Sequence, residues 1–276
     1  QYEESPYPKW KSVPKHLRLD PVADALTKPG ARILIAGCGT GQEAAEMATA
    51  LPQAEILAVD LSLSSLSYAK YQAAKAGLNN ITFRHADILQ LGSIPDRFDG
   101  ICSGGVLHHL EHPLEGWRIV TSLLKAGGMM RIALYSAAAR RHITLARDAA
   151  KKGGYAATPE GMRDFRRESK RLLPDETFRA LSGASDYFNL PMYRDMIFHV
   201  QEHCFDLMQI KSALAALGLE FVKLLPPQQA LLNYKSMFDD DPAQGSLDNW
   251  HAVEQKFPDT FIAMYQFWCR KSARQV

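Results

Sequence analysis

From Ala31 to Tyr135 the chain alternates short apolar runs with longer helix-forming stretches, and that rhythm leaves few folds open. Ala31–Ala36 (ARILIA) ends in a glycine cluster and runs into QEAAEMATAL. Glu55–Val59 (EILAV) precedes a helical pattern over about 62–76, and Ile81–Arg84 follows as a third strand. Phe98–Cys102 is a fourth, with a helix over about 113–125, and Gly128–Tyr135 (GMMRIALY) is a fifth. Strands separated by helical patterns of roughly 10–15 residues predict a parallel sheet built from right-handed crossovers. The strands are apolar throughout, without alternation, as when helices cover both faces. An α/β fold is the expectation.

After Tyr135 the rhythm changes. The stretch from about 137 to 180 is helical in composition and basic, and SDYFNLPMYRDMIFHVQEHCFD (185–206) brings aromatics and histidines together. LMQIKSALAAL reads as an amphipathic helix, LEFVKLL as a sixth strand, DDDPAQGSLDNW as an acidic loop and TFIAMYQFWCR as a seventh strand. The expected organisation is an N-terminal segment and candidate lid at 1–30, a core at 31–136, a helical insertion at 137–205 and a sheet-completing part at 206–276. A chain of 276 residues, 46% hydrophobic, can bury a core of that size.

A net charge of +2 gives no general pull toward nucleic acid. The basic stretch mixes its arginines with Asp and Glu and lacks interleaved aromatics, so it reads as a solvated face. No apolar run approaches about 18 residues, so no membrane span is expected. The first residues lack a signal-peptide core. Cys38, Cys102, Cys204 and Cys269 form no C-x-x-C pair, which predicts reduced thiols in a cytoplasmic protein and no metal. The chain has no initiating Met, as in a piece of a longer protein.

The stretch with the most chemistry is ILIAGCGTGQEAAEMA, Ile33–Ala48, where a strand runs straight into Gly37, Gly39 and Gly41 and a helix follows. Glycines permit a tight turn and the close approach of a ligand to the backbone. A dinucleotide site would put its third glycine at position 42, which is Gln42 here, so an NAD-dependent oxidoreductase is disfavoured. GCGTG resembles the first motif of class I S-adenosylmethionine-dependent methyltransferases, and the order of later features resembles that family too. Asp60 closes the second strand (ILAVDLS), Asp87-Ile88 follows the third, FDGICSGGVLHHLEHP spans the fourth, and LLKAGGMMRIALYS the fifth.

The resemblance implies a Rossmann-like, seven-stranded class I methyltransferase sheet with a helical insertion between the fifth and sixth strands. It implies S-adenosylmethionine as cofactor. Asp60 would hold the ribose hydroxyls, a task suited to a carboxylate that accepts two hydrogen bonds. Asp87 and Ile88 would meet the adenine, and Gly37, Cys38, Gly39, Gly41, Gln42, Leu61 and Ser103 would complete the cofactor set. The family often has an acid two residues before the first glycine. Ile35 stands there, and Gln42 is expected to compensate in part. PYPKW, FHVQEH and DTFIAMYQFWCRK are similar to methyltransferase modules that follow tetratricopeptide repeats in some bacterial proteins.

His108, His109 and Tyr135 fall at the carboxyl edge of the expected sheet, where open α/β sheets bind ligands, and are the candidate catalytic residues. Tyr187, Tyr193, Arg194, His199 and His203, with Tyr7 and Trp10 from the N-terminal segment, are expected to hold the acceptor. His199 and His203 at i, i+4 would suit a metal only with a third ligand, which the sequence does not offer. Motifs of nucleic-acid methylases are missing, which leaves an O- or N-nucleophile on a small molecule or on a protein or peptide side chain. A non-catalytic S-adenosylmethionine-binding module and a non-methyl use of the cofactor are the alternatives. A homodimer, its basic helices against the acidic loop of a second copy, is the alternative role for the insertion.

Overall fold

Both faces of β1 (Arg32–Ala36) are apolar, and the fold buries both. Leu34 and Ala36 join a cluster with Ile101, Trp117, Trp250 and Tyr265, while Ile33 and Ile35 point the other way into Met47, Ile56 and Trp268. A strand covered on two sides belongs in the middle of a helix-flanked sheet. The computed structural model, which describes residues 9–13 and 26–273, places it there.

The sheet has seven strands in the order β3-β2-β1-β4-β5-β7-β6. β2 (Glu55–Asp60) and β4 (Phe98–Gly104) flank β1 in parallel, with β3 (Ile81–His85) and β5 (Leu124–Tyr135) outside them. β7 (Met264–Lys271) runs antiparallel to both β5 and β6 (Leu219–Leu224). The sheet is therefore mixed, with its parallel part where the βα rhythm predicts it. The order reverses between β1 and β4, because the chain steps outward through β2 and β3 before returning. The carboxyl ends of β1 and β4 open a crevice at that reversal.

α1 (Gln42–Ala50), α2 (Leu63–Lys75) and α3 (Pro113–Ser122) fill the crossovers. Four helices, α4 (Arg141–Lys152), α5 (Pro159–Leu172), α6 (Asp175–Ser182) and α7 (Leu190–Phe198), lie between β5 and the chain's return to the sheet. The exit and return are stitched together: Phe205 donates its amide to Tyr135 O at 2.8 Å, and Ala137 donates to Phe205 O at 2.8 Å. These helices have an apolar cluster of their own around Phe165, Tyr187, Tyr193 and Ile197. Arg167 and Arg171 pair with Asp164 and Glu168 three residues before them, on the solvated face expected of a mixed-charge helix.

The last stretch departs from expectation. β6 is followed by α9 (Gln228–Met237), after α8 (Leu207–Ala216), and the acidic loop ends early in α10 (Leu247–Lys256). Ser246 starts α10 by accepting the Asn249 amide at 3.1 Å, the N-cap arrangement that serine favours. β7 begins at Met264 rather than Thr260, because Ala263 takes φ 60°, outside the strand region. Among the described residues no helix is long and apolar enough to cross a membrane.

At the opposite edge of the sheet, Asp99 on β4 accepts from Lys28, Lys125 and the Arg32 amide at 2.6, 2.9 and 3.0 Å. Burial alone would raise the Asp99 carboxyl, but these three donors outweigh it and hold it down to about 2. A carboxylate lowered in the folded state contributes stability above its unfolded value and loses it as pH falls toward the folded one. Asp99→Asn should therefore cost about 1–2 kcal/mol at pH 7, a difference fading below about pH 4. Urea unfolding of both proteins at pH 7 and pH 3 checks this, and an equal difference at the two pH values would rule out the charge as its source.

Candidate active site

The turn after β1 is made by the chain's own packing. Gly37 and Gly41 take φ 80° and 81°, a left-handed region that favours glycine. A Cβ on Gly37 would lie 2.5 Å from Val106 Cγ2, and one on Gly41 2.6 Å from Ala69 Cβ. At these two positions the missing side chain makes room for the β4–α3 loop and for α2. Between them, Gly39 donates its amide to Asp60 Oδ2 at 2.7 Å. The other Asp60 oxygen accepts from Ser62 N at 2.8 Å. A carboxylate oxygen has two acceptor sites, so the half-buried Asp60 is oriented but not saturated.

Around this turn the expected cofactor residues divide. Leu61 stands beside Asp60 with 64% of its surface exposed. Asp87 accepts the Leu89 amide at 2.9 Å and caps a short 3-10 turn over Ile88–Ser93. Ile88 itself turns into the main core, and its neighbour Leu89 is the apolar side chain left exposed there. The Ser103 hydroxyl is wholly buried and donates to Ala36 O at 3.0 Å, tying β4 to β1. Cys38 is buried, which pushes its thiol well up and keeps it unreactive.

Gln42 does not reach toward Ile35; its amide donates along its own helix to Glu46 at 3.2 Å. The neighbouring Glu43, which the sequence reading passed over, is the carboxylate at the β1–β4 seam. Ile35 is in register with Cys102, whose thiol is pushed well up by burial and by the charge of Glu43, and Arg131 Nη1 meets Glu43 Oε1 at 3.2 Å. Burial raises the Glu43 carboxyl, opposed by Arg131. An acid in the first helical turn is a weak sequence signal, since such acids also serve the helix dipole.

The β4–α3 loop carries Val106 against Gly37, and two residues later a set of stacked rings. His108 lies on Tyr135 at 3.8 Å between ring centroids, and Arg140 Cζ is 3.6 Å from the same ring. Two groups that close cannot share one face, so Tyr135 is held between them. His109 meets both His108 and Tyr135 edgewise, and His199 stacks on His109 at 4.1 Å. His108 is wholly buried, with no hydrogen-bond partner at either ring nitrogen. Burial, then its neighbours His109 and Arg140, drive it down to about 2, so it is neutral.

His109 Nδ1 faces Gln201 O at 3.0 Å. A carbonyl can only accept, so Nδ1 carries the proton and Nε2 the lone pair. Burial lowers His109 below the usual histidine value, and the Gln201 bond opposes it. The roof over these rings is the return segment 199–205, where His203 donates its amide to His108 O at 2.8 Å. Glu202, 4% exposed at its side chain, takes Arg140 through two bonds of 2.7 Å and Arg147 through a third of 2.7 Å. Arg147 also donates to His199 O at 2.7 Å. Glu202 falls in the FHVQEH stretch, but its pairing with Arg140 and Arg147 had no local signal, because the three meet across more than fifty residues.

Of the residues expected to hold an acceptor, His199 joins the ring set, His203 meets it only through its backbone amide on His108 O, and Arg194 sits half-buried on α7. Tyr187 and Tyr193 do not line it. Both are buried in the core of the four-helix layer, Tyr193 edgewise against Tyr187, whose hydroxyl pairs with Ser169 at 2.8 Å. Trp10 lies against the glycine turn instead, donating Nε1–H to Thr40 O at 2.8 Å. Tyr7 is outside the described residues. His199 and His203 share no helix, since α7 ends at Phe198, and no group of three metal-binding side chains occurs among the described residues.

The methyltransferase domain family matches residues 27–171. An uncharacterized protein of Synechococcus is 30% identical over 209 residues, covering 69% of this chain and 48% of the relative. A ubiquinone biosynthesis O-methyltransferase of Xanthomonas campestris is 32% identical over 115 residues, 41% of this chain and 47% of that protein. The chain thus spans about half the length of the curated relatives it matches. In fold it is similar to PKMT2 from Rickettsia typhi in complex with AdoHcy, with TM-score 0.64 at 16% identity over 91% of this chain and 52% of that one. The chain belongs to the methyltransferase domain family and has its class I, S-adenosylmethionine-dependent fold.

Proposed function

We propose that this chain transfers a methyl group from S-adenosylmethionine to an oxygen or nitrogen nucleophile held against the stacked rings. The observation that carries the reading is the continuity of the β4–α3 loop. Val106 of that loop packs on Gly37, and His108 of the same loop packs on Tyr135. The cofactor turn and the ring set are thereby two ends of one short segment. The turn suits the cofactor on a further observation: Asp60 is already aimed by two amides and retains acceptor sites for a pair of hydroxyls. Leu61 and Leu89 offer exposed apolar surface next to Asp60 and Asp87.

When bound, S-adenosylmethionine supplies a methyl group made electrophilic by its sulfonium. The residues of the chain have the remaining tasks. The ring set excludes water and fixes the nucleophile in line, which is where most of the rate gain of a displacement lies. His109, with its proton on Nδ1, presents Nε2 as acceptor for the proton that the nucleophile loses. His108, neutral and wholly buried, packs on Tyr135 and holds the ring set behind His109. The match to O-methyltransferases favours oxygen as the accepting atom. The acceptor is a small molecule or a protein or peptide side chain.

S-adenosylhomocysteine should bind with micromolar-range affinity and raise the melting temperature, because it contacts the folded state alone. Asp60→Ala should weaken that binding by about 10- to 100-fold, the cost of two buried hydroxyls left unpaired (about 1–3 kcal/mol). Calorimetric titration decides both, and a variant that binds as well as the parent would leave Asp60 with only its backbone contacts. The histidines give a second expectation. The lowering of His109 and of His199, the latter to about 4, means that both are neutral at pH 7. NMR titration of the imidazoles should place the His109 midpoint below 6.5, and a midpoint at or above that value would remove it as the neutral base. Because these folded-state values lie below the unfolded one, stability should hold above about pH 7 and fall as pH drops through 6.5.

A further inference from the structure

Thr40 occupies the middle of the cofactor turn, between Gly39 at φ 50° and Gly41 at φ 81°. The turn is fixed from the inside. Gly37 and Cys38 both donate to Val59 O at 2.9 Å, Gly39 donates to Asp60, and Gly41 donates to Cys38 O at 2.8 Å. From the outside it is met by Trp10, a residue 30 positions earlier, whose indole N–H bonds the Thr40 carbonyl at 2.8 Å. Trp10 is 6% exposed, and this bond is buried from water.

Trp10 is itself gripped. Its carbonyl accepts from the Tyr68 hydroxyl at 2.6 Å and from Gln72 Nε2 at 2.9 Å. Tyr68 and Gln72 are one turn apart on α2 and bond each other at 2.9 Å, so both side chains converge on one peptide oxygen. Gln72 is buried, and a buried amide is a group that folding must satisfy. α2 is also the helix that packs on Gly41, through Ala69. Trp10 therefore joins the outer side of the turn to the helix that follows Asp60.

We propose that Trp10 is a positioning residue for the cofactor turn: it fixes the Thr40 carbonyl, and with it the Gly39 and Gly41 conformations, so that cofactor affinity depends on the docking of Trp10. The proposal rests on the cofactor reading given above. It replaces the expectation that Trp10 touches the acceptor. A plain anchor for the segment would need only the carbonyl contacts to α2. The indole bond adds a direct hold on the turn itself.

Trp10→Phe keeps a buried ring and removes the donor. Amide hydrogen exchange across residues 37–41, measured without ligand, should be faster in the variant, and S-adenosylhomocysteine should bind about three- to tenfold more weakly by calorimetry. Melting temperature is followed alongside as a measure of the anchoring role. Unchanged exchange in the turn overturns the proposal, whatever happens to melting or affinity. Faster exchange with parent-like affinity overturns it too, since the cofactor would then be indifferent to the hold. If the parent gives no heat with S-adenosylhomocysteine, the cofactor reading itself has failed, and the cofactor half of this proposal falls with it, leaving the exchange comparison to show only whether Trp10 orders the turn.

Discussion

The hydrogen bond from the Gly39 amide to Asp60 ties the end of β1 to the end of β2, and much of the site is arranged by what that bond requires. For the Gly39 amide to face Asp60, the turn must pass through left-handed conformations on either side. Those conformations bring Gly37 under Val106 and Gly41 under Ala69. Three elements, the β4–α3 loop, α2 and β2, therefore converge on five residues. The consequence is a carboxylate oriented before any ligand arrives. A ligand that meets a group already in place gives up less freedom on binding.

The second dependence is electrostatic. The four helices after β5 have an apolar cluster separate from the two that cover the sheet. At the ring set they are joined to it by charge. Arg140 stands at the start of α4, Arg147 within it, and Glu202 on the segment returning to the sheet. A buried carboxylate without partners is strongly unfavourable, whereas one taken up by two guanidinium groups has its acceptor sites filled. The same contacts decide the rings: Arg140 lies on Tyr135, and Arg147 holds the carbonyl of His199, whose ring lies on His109. Glu202 thus organises both sides of the ring set without touching a ring.

These two dependences explain what could be read in advance. The βα rhythm and the glycine turn are local patterns, and the strand ends that carry Asp60 and Tyr135 follow from them. The positions of Ile88 and Ser103 depend on which way one side chain turns at a strand end, and there the core took Ile88 and the Ala36 carbonyl took Ser103. Tyr187 and Tyr193 belong to an aromatic stretch equally suited to lining a site or filling a core. A cluster of four helices needs large apolar side chains of its own, and that need placed them inside. Glu202 and Trp10 act across 55 to 62 and 30 to 62 positions respectively, which no periodicity registers.

The far wall of the crevice is held in the same manner as the roof. Ala263, a non-glycine residue at φ 60°, accepts the Ser136 amide at 3.0 Å, and the next residue, Met264, pairs with Tyr135. A backbone conformation of that kind persists only when its surroundings over-determine it. Here the surroundings include Glu254 on α10, buried, bonded by Tyr265 of β7 at 2.7 Å and by Ser136 at 3.1 Å. Burial raises the Glu254 carboxyl, and the two hydroxyls only partly offset it. An apolar residue would be a simpler occupant of a position that needed packing alone. At this edge of the sheet, then, roof and wall are each fixed by a buried carboxylate, Glu202 through Arg140 and Arg147 of the first helix after β5, and Glu254 through Ser136 and Tyr265 beside the ends of β5 and β7. At the opposite edge, Asp99 takes two of its donors from half-exposed lysines. Buried polar networks concentrate where strand ends must be held to a fixed geometry, which is the requirement of an active site and not of a fold.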